Sequence, residues 1–133
     1  MVGKLAEARR RVAVAKSIDT LKERLGRYRQ ITITVIGRKS GKKSSRPVWF
    51  VLEGEKLYLL PVEGSKTQWF QNLRKDPRIW IDARGAEAEL RGKIVTDAET
   101  VKSVGEKFRE KYGADDVKKY YSGFDAAVIV KLE

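Results

Sequence analysis

Residues 31–53, "ITITVIGRKSGKKSSRPVWFVLE", decide the fold. Ile31, Ile33 and Val35 alternate with Thr32 and Thr34, a spacing that marks a strand with one apolar face. "RPVWFVLE" (46–53) is a second run of β-branched and aromatic residues, with Pro47 near its start, where a strand tolerates proline. Between the two runs, Arg38 to Arg46 hold five cations and no acid. Strand, basic turn, strand is a hairpin, and the rest of the chain can be read from it.

Downstream, "GEK" turns the chain into "KLYLLPV" (56–62). "RIWIDA" (78–83) and "AEAELRGKIV" (86–95) follow, joined around Gly85, and "DAAVIVKLE" (125–133) is a further strand. These make six strands with short links. "SKTQWFQNLRKDP" (65–77) reads as a helix that opens with Ser65 and Gln68 at capping-box spacing and ends at Pro77. "TDAETVKSVGEKFREKYG" (96–113) opens with Thr96 and Glu99, carries Val101, Val104, Phe108 and Tyr112 as its apolar stripe, and stops at Gly113. Upstream, Leu5, Ala8, Val12 and Ala15, then Ile18, Leu21, Leu25 and Tyr28, recur at helical spacing, with Gly26 as a stop. The expectation is a basic helical segment over residues 1–30 and one domain over 31–133. Its class is mainly β within α+β: a six-stranded antiparallel barrel with an N-terminal helix and two or three covering helices.

The 133 residues suit one core. The longest apolar runs are too short for a membrane span. The N-terminus lacks the long apolar region of a signal peptide, so a cytoplasmic location is expected. Cysteine and histidine are both absent, which excludes zinc sites and Ser-His or Cys-His catalysis. Scarce Asn, Gln and Met beside plentiful Lys, Arg and Glu lean towards a thermophilic source. The net charge is +11, and the excess is confined to the first third of the chain. Residues 1–30 contribute +6, residues 37–46 contribute +5, and residues 47–133 balance. That is a focused basic region, which fits a local anionic partner better than a nucleic-acid coat.

Two segments carry anion-binding chemistry. "GRKSGKKSS" fails as a P-loop, because three residues rather than four separate its glycines and a strand, not a helix, follows. Gly37 and Gly41 still permit a nest of inward N–H groups, with Ser40, Ser44 and Ser45 as hydroxyl donors and Arg38 and Lys39 as charge. The second is "PVEGSKTQW" (61–69), where Ser65, Lys66 and Thr67 open a helix whose free N–H groups attract phosphate or carboxylate. For each, an ordinary turn or cap remains open on spacing alone. Trp49 and Phe50 are neighbours on a strand and face opposite ways, one to the core and one to a pocket or subunit contact. Trp69 and Phe70 read as core or pocket wall. Tyr120 and Tyr121 form a similar pair that could donate a proton or a hydrogen bond to a substrate, with core packing the default reading. Asp115 and Asp116 are adjacent and do not face each other on a helix. With no acid/base dyad and no metal cluster, any reactive group is expected from a bound organic cofactor.

The ordered set "GRKSG" (Gly37–Gly41), Pro47–Phe50 on an aromatic strand, and "WFQNLRKDP" (Trp69–Pro77) resembles the deazaflavin-dependent nitroreductase family. The resemblance covers roughly residues 31–133 and is strongest over 36–81. It implies a split β-barrel of the FMN-binding type. It also implies binding of 8-hydroxy-5-deazaflavin (coenzyme F-420) and hydride transfer from that cofactor to a quinone- or nitro-type acceptor. By position, Arg38, Lys39, Ser40 and Gly41 would line the phosphate site. Pro61, Val62, Ser65, Lys66 and Thr67 would lie along the ring system or phosphate, with Trp49 and Trp69 as walls. Where those proteins often carry Pro-Arg after the glycine-lysine, this chain has Lys43 and Ser44, so Lys43 or Arg46 would replace one contact. The loop before Trp69 is also shorter than the family's. FMN is the alternative cofactor on the same barrel, and a homodimer is expected.

Two other classes stay open at this stage. One is a flavin-binding or sequestering protein without turnover. The other is a nucleic-acid or anionic-membrane binder acting through residues 1–46. Membrane-surface association would use the basic face of residues 1–30. Nucleic acid is the weaker partner, because the aromatics do not interleave with the basic residues there.

Overall fold

A computed structural model describes residues 18–121 and 124–132. The expected stripe from Leu5 to Ala15 lies outside the described residues. Residues 18–25 are helical (α1) and bury Ile18, Leu21 and Leu25. The chain continues through β1 (Gln30–Ile36), β2 (Lys43–Trp49), β3 (Val51–Glu53) and β4 (Lys56–Leu59). A 3-10 turn (Gly64–Lys66) leads into α2 (Gln68–Lys75). Then come β5 (Arg78–Ala83), β6 (Ala86–Val95), α3 (Ala98–Tyr112), α4 (Ala114–Tyr120) and β7 (Ala127–Lys131).

All strand pairs are antiparallel, in the order β2-β1-β5-β6-β7-β4-β3. The first and last strands in that order are β2 and β3, which only Phe50 separates in the chain. The sheet must therefore curl until its two ends meet at Phe50. The result is a half-barrel of α+β type with the architecture expected, but with seven strands rather than six. The single expected strand over 46–53 is two strands bent at the seam. β2 also starts at Lys43, which shortens the basic turn to residues 37–42.

Alternation puts Ile31, Ile33 and Val35 of β1 and Ile79, Ile81 and Ala83 of β5 on the inner face, each at most 3% exposed. Leu57, Leu59, Val128 and Val130 close the other half, and Phe50, Phe70 and Leu73 fill the centre. Burying one such large side chain contributes about 1.5–3 kcal/mol. A second, aromatic cluster lies between the sheet and α3/α4, built from Tyr58, Phe108, Tyr112, Val117 and Tyr121. It includes the stripe Val101, Val104, Phe108, Tyr112 that the spacing predicts, and Gly113 ends α3 as expected.

Both capping boxes are corrected. α3 is capped by Asp97, whose carboxylate accepts from Thr100 N at 2.9 Å. A charged acceptor one residue beyond Thr96 takes the exposed N–H. α2 begins after Thr67 with no side-chain cap. Ser65 instead bonds to Asp125, and Gln68 to Arg38.

Candidate functional site

A cleft of about 660 Å³ opens where the C-terminal end of β2 meets the start of α2 and the end of α4. Its walls are Pro47, Val48 and Trp49 of β2, Leu60, Val62 and Glu63 after β4, Thr67, Gln68 and Trp69 around the α2 start, and Tyr120 and Tyr121. Gln30 and Arg46 complete it. This size suits a small organic ligand, and an aromatic lining with few polar groups is the usual character of such sites.

Trp49 is held rather than loosely exposed. Its ring stacks on Tyr112 with centroids 4.2 Å apart and planes 8° from parallel, and Tyr120 meets it edge-on at 5.2 Å. Tyr112 is itself fixed at the barrel seam. Its hydroxyl accepts from Phe50 N at 3.1 Å and lies 2.7 Å from the Arg29 carbonyl and 2.8 Å from that of Phe50. Phe50 belongs to neither strand, so α3 supplies the partners that a ladder would otherwise give its backbone. Lys111 Nζ also donates to Phe50 O, at 2.8 Å. Burial, with Arg29 nearby, pulls that amine down to about 8. Burial pushes the Tyr112 phenol up to about 12 and raises that of Tyr121 further, so both stay protonated near neutral pH.

The β1–β2 turn sits beside the cleft, locked onto α2. Arg38 donates Nη1 to Asn72 Oδ1 and Nη2 to Gln68 Oε1, each at 2.8 Å, and its backbone N–H also reaches Asn72 Oδ1 at 3.1 Å. Lys75 Nζ donates to Arg38 O at 2.9 Å. The expected nest does not form. Gly37 N bonds to Lys42 O, Gly41 N to Gly37 O, and Lys42 N to Ser40 Oγ, so these N–H groups are engaged within the turn. The charge of Arg38 meets only neutral amides and has no ion-pair partner among the described residues.

The second segment differs in the opposite sense. Asp125, just before β7, accepts from Ser65 N at 2.8 Å through Oδ1 and from Ser65 Oγ at 2.6 Å through Oδ2. These bonds, with Lys66 nearby, hold its carboxyl below the ordinary range. The Ser65 donors expected for a ligand's anion are satisfied by the protein's own carboxylate, and Thr67 N bonds to Gly64 O.

The fold thus brings Arg46, Trp49, Val62, Thr67, Trp69, Tyr120 and Tyr121 to one cleft. Arg38 stands one side chain behind it, through Gln68. Lys39, Ser40 and Gly41 are on the exposed turn, while Pro61, Ser65 and Lys66 belong to the loop behind the wall. Lys43 lies on the opposite face of β2 from Arg46, its ammonium 4.2 Å from the Trp80 ring centroid. Period-two spacing contained that answer, because residues three apart on a strand face opposite ways. Gln30, Leu60, Glu63 and Gln68 also line the cleft; none of them was read from the sequence as a ligand contact.

Among the basic residues of α1 and the turn after it, Lys22 pairs with Glu55 at 2.8 Å, Arg27 with Glu23, and Arg24 bonds to the Arg84 carbonyl. No described helix is long and apolar enough to cross a membrane.

Solved structures share this fold at low identity. An F-420-H2 dependent reductase (FDR-A) superposes with TM-score 0.60 at 18% identity, over 77% of this chain and 94% of that one. The heme storage protein HutZ from Vibrio cholerae gives TM-score 0.64 at 15% identity, over 86% and 89%. A domain-swapped dimer gives 0.61 at 18%, over 77% and 80%. At these identities the likeness establishes the split-barrel fold. No curated protein matches the chain. The sequence model described as "Uncharacterized protein conserved in bacteria (DUF2255)" matches residues 22–131, most of the chain, and the protein belongs to that family.

Proposed function

We propose that the cleft binds a flavin-type cofactor, the deazaflavin coenzyme F-420 or FMN, and that the protein is an oxidoreductase reducing a quinone- or nitro-type acceptor. The observation that carries this reading is the joining of a fixed aromatic wall to a cationic end in one cleft of suitable size. Trp49, braced by Tyr112, offers an aromatic wall to a ring system, with the buried Trp69 lining the cleft beside the start of α2. Arg46, which lines the same cleft as the Arg38-bound Gln68, offers a bidentate grip for a phosphate or carboxylate. The reduced cofactor, when bound, would supply the hydride, and the acceptor takes its proton from water or the exposed Tyr120 hydroxyl, since burial opposes ionising Tyr121. Hydride transfer asks the protein for position and orientation rather than a strong base, which suits a chain without histidine or cysteine.

The heme reading that HutZ invites is less well supported. The chain has no His or Cys, and its one Met is Met1. A tyrosinate ligand would require ionising a phenol such as Tyr121, whose burial opposes it. Exposed Val62 and Tyr120 at the cleft mouth support a homodimer as part of the same proposal.

Fluorescence titration with FMN and with reduced deazaflavin tests the reading. Saturable micromolar binding is expected for at least one. Arg46→Ala should weaken it about tenfold without unfolding an exposed strand edge. Absence of saturable binding for both cofactors sinks the proposal. Binding without reduction of any quinone or nitro compound leaves a carrier in place of an enzyme.

A further inference from the structure

Gln68 is the first residue of α2 and lines the cleft. An amide side chain usually offers either an acceptor or a donor, since it can flip to suit its partner. Here the choice is fixed. Arg38 donates Nη2 to Gln68 Oε1, and a guanidinium can only donate. Arg38 is fixed in turn by two bonds to Asn72 Oδ1, on a side chain only 9% exposed, and by Lys75 on its carbonyl. The Gln68 oxygen is therefore committed, and the group left for the cleft is its NH2. Arg46 also lines the cleft, so its polar lining includes a guanidinium and an amide whose oxygen is already taken, beside Gln30, Thr67 and the acid Glu63.

Resting on the flavin-type reading above, we infer that Gln68 is a specificity-determining residue whose locked NH2 donates to the ligand's phosphate or carboxylate. Such a site prefers a cofactor with an anionic side chain to the same ring system without one. The preference arises from the donors of Gln68 and Arg46, which outnumber the one acid of the lining, Glu63.

The decisive substitution is Gln68→Glu. It keeps an oxygen for Arg38 and converts a neutral contact to an ion pair. It also places an acid in the first turn of α2, where the helix dipole favours it. The variant should fold at least as well as wild type, so a binding defect cannot be ascribed to unfolding. It replaces the NH2 with a carboxylate oxygen facing the ligand's anion. FMN and riboflavin, which differ only in the phosphate, are the probes.

Wild type should bind FMN about tenfold more tightly than riboflavin. Gln68→Glu should lower FMN affinity by about tenfold or more and leave riboflavin within about twofold. Gln68→Leu, which removes the donor without adding charge, should give an intermediate loss for FMN alone. Equal losses for both ligands, or none for FMN, overturn the role of Gln68 and leave the flavin reading standing. Failure of the wild-type chain to bind any flavin or deazaflavin overturns that reading and this inference with it.

Discussion

The β1–β2 turn and the loop between β4 and α2 look alike in sequence. Each pairs a glycine with serine and lysine, and each follows a strand. Their fates differ in what a third element brings to them. α2 brings amides to the first, Asn72 and Gln68, which fix Arg38 without neutralising it. The segment before β7 brings a carboxylate to the second, Asp125, which satisfies Ser65. One loop therefore retains a positive field beside the cleft. The other is a closed structural joint that shapes the wall at Val62, Glu63 and Thr67. Residue type and spacing identify a loop able to bind an anion, and the tertiary partner decides whether the anion is a ligand or the protein itself.

The largest break in this contrast comes from Asn72. Its Oδ1 accepts from both the backbone and the guanidinium of Arg38, and it is almost buried. Asn72→Ala leaves both donors without their acceptor and opens space beneath α2. The expected cost is about 3 kcal/mol, measured by urea unfolding. The turn should also loosen, seen as faster amide exchange at Arg38. A change below about 0.5 kcal/mol would mean that Arg38 is held by something other than this amide.

How far the sequence showed these things depends on range. The alternation of Ile31, Ile33 and Val35 and the stripe Val101, Val104, Phe108, Tyr112 are local patterns, and the structure keeps both. The seam at Phe50 was not visible, because "VWFVL" favours strand throughout and the bend comes from closing the barrel. The partner of Ser65 is sixty residues away, so a local cap at Gln68 was the nearer but mistaken reading. The cleft was half legible. Its aromatic and basic members were singled out from the motifs, whereas Gln30, Leu60, Glu63 and Gln68 have ordinary side chains that line it by position alone.

Gly64 tests the closed loop. Its φ is +61°, and an added Cβ would collide with Asp125 Oδ1. Gly64→Ala must both adopt a left-handed backbone and displace the carboxylate from Ser65. The two effects together predict a loss of about 2 kcal/mol. The cleft wall formed by Val62 and Glu63 should shift with it. Thermal unfolding beside a flavin titration reads both, and a stable variant with unchanged affinity would detach Asp125 from the shape of the cleft.

Gly41 is the matched control and the smallest effect. Its φ is +70°, close to that of Gly64, but nothing lies within 4 Å of where a Cβ would sit. Gly41→Ala should therefore cost only backbone strain, about 1 kcal/mol. Asparagine separates the two positions more sharply, because it tolerates the left-handed region but still carries a Cβ. At residue 41 that tolerance removes most of the penalty, so Gly41→Asn should unfold close to wild type. At residue 64 the collision with Asp125 persists whatever the backbone preference, so Gly64→Asn should recover only the backbone part of the loss and remain well below wild type. Equal melting temperatures for the two asparagine variants would show that the carboxylate yields freely, and the two loops would then differ in charge alone.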